Sequence, residues 1–225
     1  TIVLSCSAAG IDSTFLDWLT DGGHSTAHDL CTADDDLVLG YKIGAVELTL
    51  EEVLDAWQDS LLAGCRDNVF IGGLGIDNVK AHLAIQFTYA DKCNNVNGKT
   101  GYFGITDNGR PQFLTMPVDT VLSCSVNGSW EDSFLAWYNS AGASTYTDLC
   151  SEVTVTANIT ADSAIQVLAA ALDTACMQGV AVTIQFGLTD ACGNNSLTNP
   201  SASFSVQDTV PPVLITPAMD VSILC

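Results

Sequence analysis

Hydrophobic and polar residues alternate along two stretches near the end of the chain. The apolar positions are Val182, Ile184 and Phe186 in the first stretch and Ala202, Phe204 and Val206 in the second. A period of two predicts half-buried β-strands. The polar, glycine-containing segment 190–194 between them predicts a tight turn. Pro211 and Pro212 end the second strand, because proline cannot donate to a β-ladder.

The same pattern occurs earlier in the chain, so the sequence is a tandem repeat. The segments 3–6 (VLSC), 14–18 (TFLDW), 29–31 (DLC), 84–87 (AIQF) and 91–95 (DKCNN) return as 121–124 (VLSC), 133–137 (SFLAW), 148–150 (DLC), 183–186 (TIQF) and 190–194 (DACGN). A unit of roughly 100–120 residues has the size of a bead-like domain. We predict one repeat at 1–107, a second at 108–208, and the first strand of a third at 209–225.

Helical spacing of apolar residues interrupts the strands in each repeat. The clearest case is 49–62, where Thr49 and Glu52 form a capping box in front of apolar positions at intervals of three and four. Its counterpart covers about 162–173, and a shorter helix is predicted from Ser13 to Leu19. Residues 67–78 occur only in repeat one, and their three glycines predict a flexible excursion.

These elements together predict a mainly β protein. We expect two tandem immunoglobulin-like β-sandwich repeats, each with inserted short helices and stapled by disulfides. The spacing Cys…Trp…Cys of true immunoglobulin domains is not cleanly present, so the prediction covers the sandwich and not that topology.

The excess of acidic residues restricts the partners that the chain is expected to bind. The chain carries 26 Asp and Glu against 6 Lys and Arg, a formal net charge of −20. Such a surface repels nucleic acid and anionic lipid, and suits a salty or calcium-rich exterior. Apolar runs fall far short of a membrane span, so we expect no membrane insertion. The first residues lack the basic region of a signal peptide, and we interpret the chain as a piece of a longer array.

Nine cysteines indicate an oxidising compartment. Four equivalent positions recur per repeat, namely Cys6, Cys31, Cys65 and Cys93, then Cys124, Cys150, Cys176 and Cys192, with Cys225 beginning a third set. Two disulfides per repeat are predicted. Four cysteines allow three pairings. We favour Cys6 with Cys65 and Cys31 with Cys93, and the same in repeat two; four free buried thiols are the alternative.

Oxygen-bearing side chains at the turns form a candidate calcium site. They are Asp91, Asn95 and Asp107 in repeat one and Asp190, Asn194 and Asp208 in repeat two. Calcium favours several carboxylate and carbonyl oxygens, and an ion here would stiffen the junction. The competing interpretation is that Asp and Asn cap turns by bonding their own backbone. Calcium is the one cofactor that we consider.

Other candidates have ordinary explanations. His24 and His28 could hold a metal if helical, but their counterparts are Ala143 and Thr147. The acidic run 34–36 is expected to be a solvated loop. Trp18 and Trp137 are expected in the core, which leaves Trp130 as the candidate for contact with a sugar. Asn127, Asn158 and Asn194 begin glycosylation sequons, all in repeat two.

Several motifs together resemble tandem repeats of large bacterial surface adhesins. The residues are the D-x-C-G-N loop at 190–194, the linker D-T-V-P-P at 208–212, the F-L-x-W helix and the following D-x-C. Such repeats occur in Bacteroidetes proteins exported by type IX secretion, including gliding-motility adhesins, and the linker resembles the edge of HYR-type modules. The resemblance implies an extracellular stalk or adhesive filament.

These observations favour a non-enzymatic extracellular module at the cell surface. No metalloprotease, hydrolase, P-loop or dinucleotide motif is found, so no enzyme activity is predicted. The expected partners are other repeats of the same protein, with a surface glycan or protein as a further ligand. The alternatives are a subunit of a polymeric filament, with neighbouring copies as partners, and a carbohydrate-binding accessory module.

Overall fold

The structure, a computed structural model, describes residues 1–123, 129–172, 179–207 and 214–216. Contacts divide the chain into two compact units. Unit 1 contains Thr1–Gln112, Tyr146–Val155 and Leu188–Thr198, and unit 2 contains Phe113–Thr145, Thr156–Gly187 and Asn199–Cys225. The domain limits suggested by the sequence repeat remain predictions.

The described elements of both sequence repeats contain a common series of strand, helix, strand, helix and two long strands, to which each repeat adds short strands of its own. In the first repeat they are β1 (Ile2–Ser5), α1 (Ile11–Thr20), β2 (Val38–Ile43), β3 (Val46–Leu48), α2 (Leu50–Leu62), β4 (Val69–Ile71), β5 (Leu74–Ile76), β6 (Val79–Ala90) and β7 (Val96–Thr106). The remaining elements are β8 (Gln112–Thr115), β9 (Thr120–Ser123), α3 (Trp130–Asn139), β10 (Thr145–Thr147), β11 (Val153–Ala157), α4 (Ala161–Leu172), β12 (Val180–Asp190) and β13 (Ser201–Gln207).

The two main sheets, one from each sequence repeat, have the same arrangement of opening and closing strands. The first has the order β1-β7-β6-β2-β3, and the second β11-β12-β13-β9. In each, the opening strand lies parallel to the closing strand, with Ile2 opposite Phe103 in one and Thr120 opposite Phe204 in the other. The two repeats therefore share a register.

Aromatic packing on one face of the first sheet builds the core of unit 1. Phe15 of α1 stacks on Trp57 of α2 with ring centroids 4.6 Å apart, and both rings meet Phe103 of β7 edge-on. All three side chains are buried. The helices are therefore held by burial of large apolar surfaces.

Unit 2 repeats the packing of the first helix on the closing strand, with Phe134 and Trp137 as the counterparts of Phe15 and Trp18. Phe134 and Trp137 of α3 pack on Phe204 of β13 at 5.3 and 5.4 Å between ring centroids. The predicted fold class is confirmed, since the protein is mainly β, with several sheets in tandem repeats, inserted helices and disulfides. The predicted core positions of Trp18 and Trp137 are confirmed too, with 1% and 6% of their surface exposed.

Hydrogen bonds between residues close in sequence determine where helices α2 and α1 begin. The capping box before α2 is present, with Thr49 Oγ1 accepting from the Glu52 amide and the Glu52 carboxylate accepting from the Thr49 amide. For α1, the predicted limits of Ser13 to Leu19 are too short. The helix starts at Ile11 after Gly10, and Ser13 bonds back to the Gly10 carbonyl.

The segment predicted to be a flexible excursion is a β-hairpin. Strands β4 and β5 pair antiparallel across Gly72 and Gly73, which have φ angles of 61° and 90°. Two consecutive residues with positive φ match the twist of a tight hairpin, and glycine adopts that conformation without a steric penalty. The glycines therefore form a turn.

We expect Trp57→Ala to destabilise the protein by about 3–5 kcal/mol, because truncating a buried aromatic residue leaves a cavity in a close-packed core. Leu62→Ala is the matched control on the same helix, since Leu62 is 84% exposed, and it should change the unfolding free energy by less than about 0.5 kcal/mol. Denaturant unfolding followed by circular dichroism measures both. Similar losses from the two variants would contradict this description of α2.

Candidate functional site

Two disulfides join cysteines of the first sequence repeat to cysteines of the second. Cys6 bonds Cys150 and Cys65 bonds Cys192, with Cα atoms 5.9 and 4.8 Å apart across 144 and 127 residues of sequence. All four half-cystines belong to unit 1.

This pairing corrects the one favoured from sequence. Cys6 does not pair with Cys65, and Cys31 does not pair with Cys93; the latter two are free and exposed. Equivalent spacing within each repeat cannot distinguish a bond inside a repeat from one to its neighbour, because both preserve the periodicity. Cys124 and Cys176 lie outside the described residues.

The loop between β12 and β13 is a turn built on the Asp190 carboxylate. Asp190 Oδ1 accepts from the amides of Cys192 and Asn194 at 2.9 and 2.8 Å, and Oδ2 accepts from Asn194 Nδ2 at 2.8 Å. Side chains of Asp commonly cap turns in this way. The turn therefore fixes the backbone that carries the half-cystine Cys192.

The Asp-x-Cys segment at 148–150 is organised by the same device. Asp148 Oδ1 accepts from the amides of Cys150 and Ser151 at 2.9 and 3.1 Å. This places Cys150 for its bond to Cys6, and it aims the Ser151 hydroxyl at the end of β7.

Asp107, which follows β7, is fully buried against these two turns. Its Oδ2 accepts from the Ser151 hydroxyl and lies 3.4 Å from Cys192 Sγ, and its backbone carbonyl accepts from Asn194 Nδ2 at 3.0 Å. Its Oδ1 accepts from the Gly109 amide at 3.0 Å. We call Asp107, the two turns and the two disulfides the joint.

The environment of Asp107 disfavours its charge. Burial raises the pKa of its carboxyl above the usual range, the hydrogen bonds from Ser151 and Gly109 oppose that rise, and the nearby Asp148 and Asp190 carboxylates add to it. The joint therefore concentrates negative charge in a poorly solvated place, where protonation or a cation would relieve repulsion.

The predicted calcium ligands fall into three groups. Asp107, Asp190 and Asn194 meet in the joint, Asp91 and Asn95 form a separate turn, and Asp208 lies outside the described residues. Asp107 and Asp148 place carboxylate oxygens within 4.8 Å of each other, which suits a hard cation. The sulfurs in that cluster are disulfide-bonded and are poor ligands for calcium.

The turn at Asp91 copies the turn at Asp190. Asp91 Oδ1 accepts from the amides of Cys93 and Asn95, each at 2.8 Å, and Oδ2 accepts from Asn95 Nδ2 at 2.8 Å. These bonds lower the pKa of Asp91, the one from the Asn95 side chain most strongly. The turn-capping interpretation thus accounts for oxygens that were also candidate calcium ligands.

The remaining sequence candidates are exposed or already partnered. His24 pairs with Asp21 at 2.5 Å, and His28 pairs with Asp34 at 2.9 Å, so the two histidines do not share a site. The acidic run 34–36 is a 3-10 turn whose Asp36 pairs with Lys92. Trp130 is the half-buried first residue of α3.

The three sequons differ in their surroundings. Asn127 lies outside the described residues. Asn158 is exposed, with its Oδ1 accepting from the Gln185 amide at 2.9 Å. A glycan on Asn194 would have to replace the hydrogen bonds that its Nδ2 donates to Asp107 and Asp190.

Sequence reasoning missed Asp148, Ser151 and strand β8. The repeated Asp-Leu-Cys motif at 29–31 and 148–150 was the available signal for the first two, since a residue type that recurs before each cysteine has a structural task. Strand β8 pairs with β10, and its short segment carries no clear alternation.

Comparisons with known proteins identify no family. No protein-family profile and no curated protein sequence matches the chain. Among solved structures, human protocadherin-24 EC1-2 is similar at 12% identity, with 82% of this chain and 87% of that chain covered and a TM-score of 0.26. Human mucin-like protocadherin EC1-2 is similar at 12% identity, with 82% of this chain and 91% of that chain covered and a TM-score of 0.26. The protocadherin gamma B7 extracellular cadherin domains 1–4 are similar at 12% identity, with 79% of this chain and 40% of that chain covered and a TM-score of 0.27. TM-scores this low support no inference about function. Across the described helices, none is long and apolar enough to cross a membrane.

We expect Asp107→Asn to stabilise the protein in the absence of divalent cations. The raised pKa means that Asp107 contributes most to stability below its unfolded-state pKa, and that this contribution is lost as pH rises through the higher folded-state pKa. The amide keeps the shape and removes the charge. At pH 7 the melting temperature should rise by roughly 2–4 °C, as expected for about 1 kcal/mol in a chain of this size.

Glu152→Gln is the matched control, because Glu152 is an exposed carboxylate that follows Ser151 and precedes β11. Thermal unfolding in a chelating buffer between pH 3 and pH 8 measures both variants. A lower melting temperature for Asp107→Asn at pH 7, with the control unchanged, would show that the charge of Asp107 is required.

Proposed function

We propose that this chain is an extracellular structural and adhesive repeat module of a long surface protein, acting as a stiff stalk or adhesive fibre. The observation that carries the proposal is the crossed pairing of Cys6 with Cys150 and Cys65 with Cys192. Each bond ties one sequence repeat to the next. A binding domain that acts alone would gain only stability from such ties, whereas a stalk also gains resistance to extension.

A load along the chain reaches Cys6 and can pass through its disulfide to Cys150, so the 144 residues of separation between them do not extend. At about 3.3–3.6 Å per residue, this withholds roughly 500 Å of contour length. Disulfides also support an oxidising, extracellular compartment.

The adhesin resemblance supports a more specific form of the proposal. The D-x-C-G-N and D-x-C motifs that resemble bacterial surface adhesins, including those of type IX secretion, are the two turns of the joint. The motifs thus belong to the connection between repeats. The proposed partners are other repeats of the same protein, with a glycan or protein ligand bound elsewhere along the array at the cell surface.

Calcium belongs to the proposal as a charge-neutralising ion at the joint. Asp107 and Asp148, with the Ser151 hydroxyl beside them, would supply oxygens. A bound ion would offset the repulsion that raises the pKa of Asp107. Added calcium should then raise the melting temperature of the native chain and have less effect on Asp107→Asn, a comparison that calorimetry with calcium and with a chelator provides.

We expect single-molecule stretching of the oxidised chain to end roughly 500 Å short of the extension reached after reduction. The double variant Cys6→Ser/Cys65→Ser should reach the full extension without reductant, because both bonds of the joint are then absent. It should also unfold at lower denaturant, since each lost disulfide typically costs about 2–5 kcal/mol.

The control is Cys31→Ser/Cys93→Ser, which leaves the joint intact and should extend like the native chain. Peptide mapping without reductant identifies the bonds in every sample. Bonds between Cys6 and Cys65, or full extension of the oxidised native chain, would remove the crossed joint and the stalk proposal with it.

A further inference from the structure

Segment 23–29 of unit 1 has backbone groups that are available for pairing. Its residues alternate between exposed and half-buried from His24 to Asp29, as in an extended strand. Within the described ranges, the carbonyl of Gly23 and the amide of Thr26 form no hydrogen bond. The segment therefore offers a backbone donor and a backbone acceptor, as an unpaired strand edge does.

The sequence repeat relates segment 23–29 to segment 142–148. Both segments show the same alternation of exposed and half-buried residues after their first glycine. Segment 142–148 contains β10, and β8 pairs with that strand. The counterparts of Gly23 and Thr26 in this paired segment are Gly142 and Thr145.

The partners of segment 142–148 come from the linker, which we define as residues 107–119. Within unit 2, the Val118 amide donates to the Gly142 carbonyl at 2.9 Å. The Thr145 amide donates to Thr115 Oγ1 at 2.7 Å. The linker thus bonds the same two backbone groups that are available in the first repeat.

A glycine shared by both repeats marks where a proline of the linker packs. Gly23 and Gly142 both have a φ of 70°. A Cβ built on Gly142 would lie 2.8 Å from Pro117 and 3.3 Å from the ring of Phe186. A Cβ built on Gly23 would lie 2.5 Å from the ring of Phe87, the counterpart of Phe186. The surface that Pro117 covers in the second repeat therefore has an equivalent in the first.

A groove of about 610 Å³ opens beside segment 23–29. Its lining combines the aromatic residues Phe87 and Tyr89 with the acidic residues Asp29 and Asp91. The volume lies within the range of about 300–1,000 Å³ that is typical of ligand sites. The groove is therefore large enough to hold several residues of an extended peptide.

Charge complementarity favours a segment with the composition of the linker, whose one cation is Arg110. Within unit 1, Arg110 Nη1 donates to the carbonyl of Asn195 at 3.3 Å. The counterpart of Asn195 in the first repeat is Val96, which lines the groove together with Asp29 and Asp91. An arginine bound at the equivalent place would meet acidic surroundings.

We propose that the groove beside segment 23–29 binds an extended peptide segment with the chemistry of the linker, supplied by another repeat of this kind. A backbone amide of the bound segment donates to the Gly23 carbonyl, and a threonine hydroxyl accepts from the Thr26 amide. In such strand addition, main-chain bonds give affinity and side-chain contacts give specificity. This docking rests on the proposed function, because it is the contact by which one repeat module recognises another.

A synthetic peptide of residues 107–119, added to the full oxidised chain, tests the docking. Hydrogen exchange followed by mass spectrometry reports on segment 23–29, because strand pairing slows the exchange of backbone amides. We expect saturable protection of segment 23–29, and calorimetry gives the affinity. A peptide of the same composition in scrambled order is the control and should give neither signal.

The peptide variant Thr115→Val tests the hydroxyl that accepts from the Thr26 amide. It should bind roughly 2–10-fold more weakly than the native peptide, because one hydrogen bond is lost.

Thr26→Pro and Thr26→Val form a matched pair on the protein. Proline removes the amide that donates to the peptide, whereas valine keeps it and loses only the hydroxyl. We expect Thr26→Pro to abolish the protection of segment 23–29 and Thr26→Val to weaken binding roughly 2–10-fold. The melting temperature of each variant checks that it is folded, and the peptide variant supplies the test that needs no change in the protein.

Three outcomes overturn the inference: equal binding of the native and scrambled peptides, protection confined to residues outside segment 23–29, or equal affinity of folded Thr26→Pro and Thr26→Val for the peptide. Peptide mapping without reductant shows in the same samples whether Cys6–Cys150 and Cys65–Cys192 are present. Those bonds carry the proposed function and do not line the groove. Failure of the docking is thus distinguishable from failure of the proposed stalk.

Discussion

The burial of a single carboxylate organises the joint, and it requires the two disulfides. Asp107 lies fully buried beside Asp148 and Asp190, in a chain whose formal net charge is −20. Left to electrostatics, three carboxylates in poorly solvated surroundings would separate. The bonds Cys6–Cys150 and Cys65–Cys192 hold the turns that carry the two neighbours, so covalent closure offsets a repulsion that the non-covalent contacts oppose only in part.

Each of the two turns in the joint has two structural roles. An aspartate two residues before a cysteine binds the amide of that cysteine, as Asp148 does for Cys150 and Asp190 does for Cys192. The same turns present a hydroxyl and an amide to Asp107. Positioning of the sulfur and recognition of the linker therefore come from one short motif, which explains why the motif recurs with each repeat.

Local structure was largely predictable from sequence, and long-range pairing was not. The capping box of Thr49 and Glu52 and the burial of Trp18 follow from contacts close in sequence or from side-chain size. The partner of Cys6 does not, because its alternatives, Cys65 and Cys150, fit the repeat equally well. Likewise the turn at Asp190 was predictable, whereas its contact with Asp107 joins residues far apart in sequence.

The turns that carry the cysteines do not depend on the disulfides for their shape. In repeat one, Asp29 binds the amide of Cys31 and Asp91 binds the amide of Cys93, with the geometry found in the joint. Cys31 and Cys93 are exposed and not disulfide-bonded. Local hydrogen bonds therefore preform each turn, and a disulfide adds the long-range closure that a turn alone cannot supply.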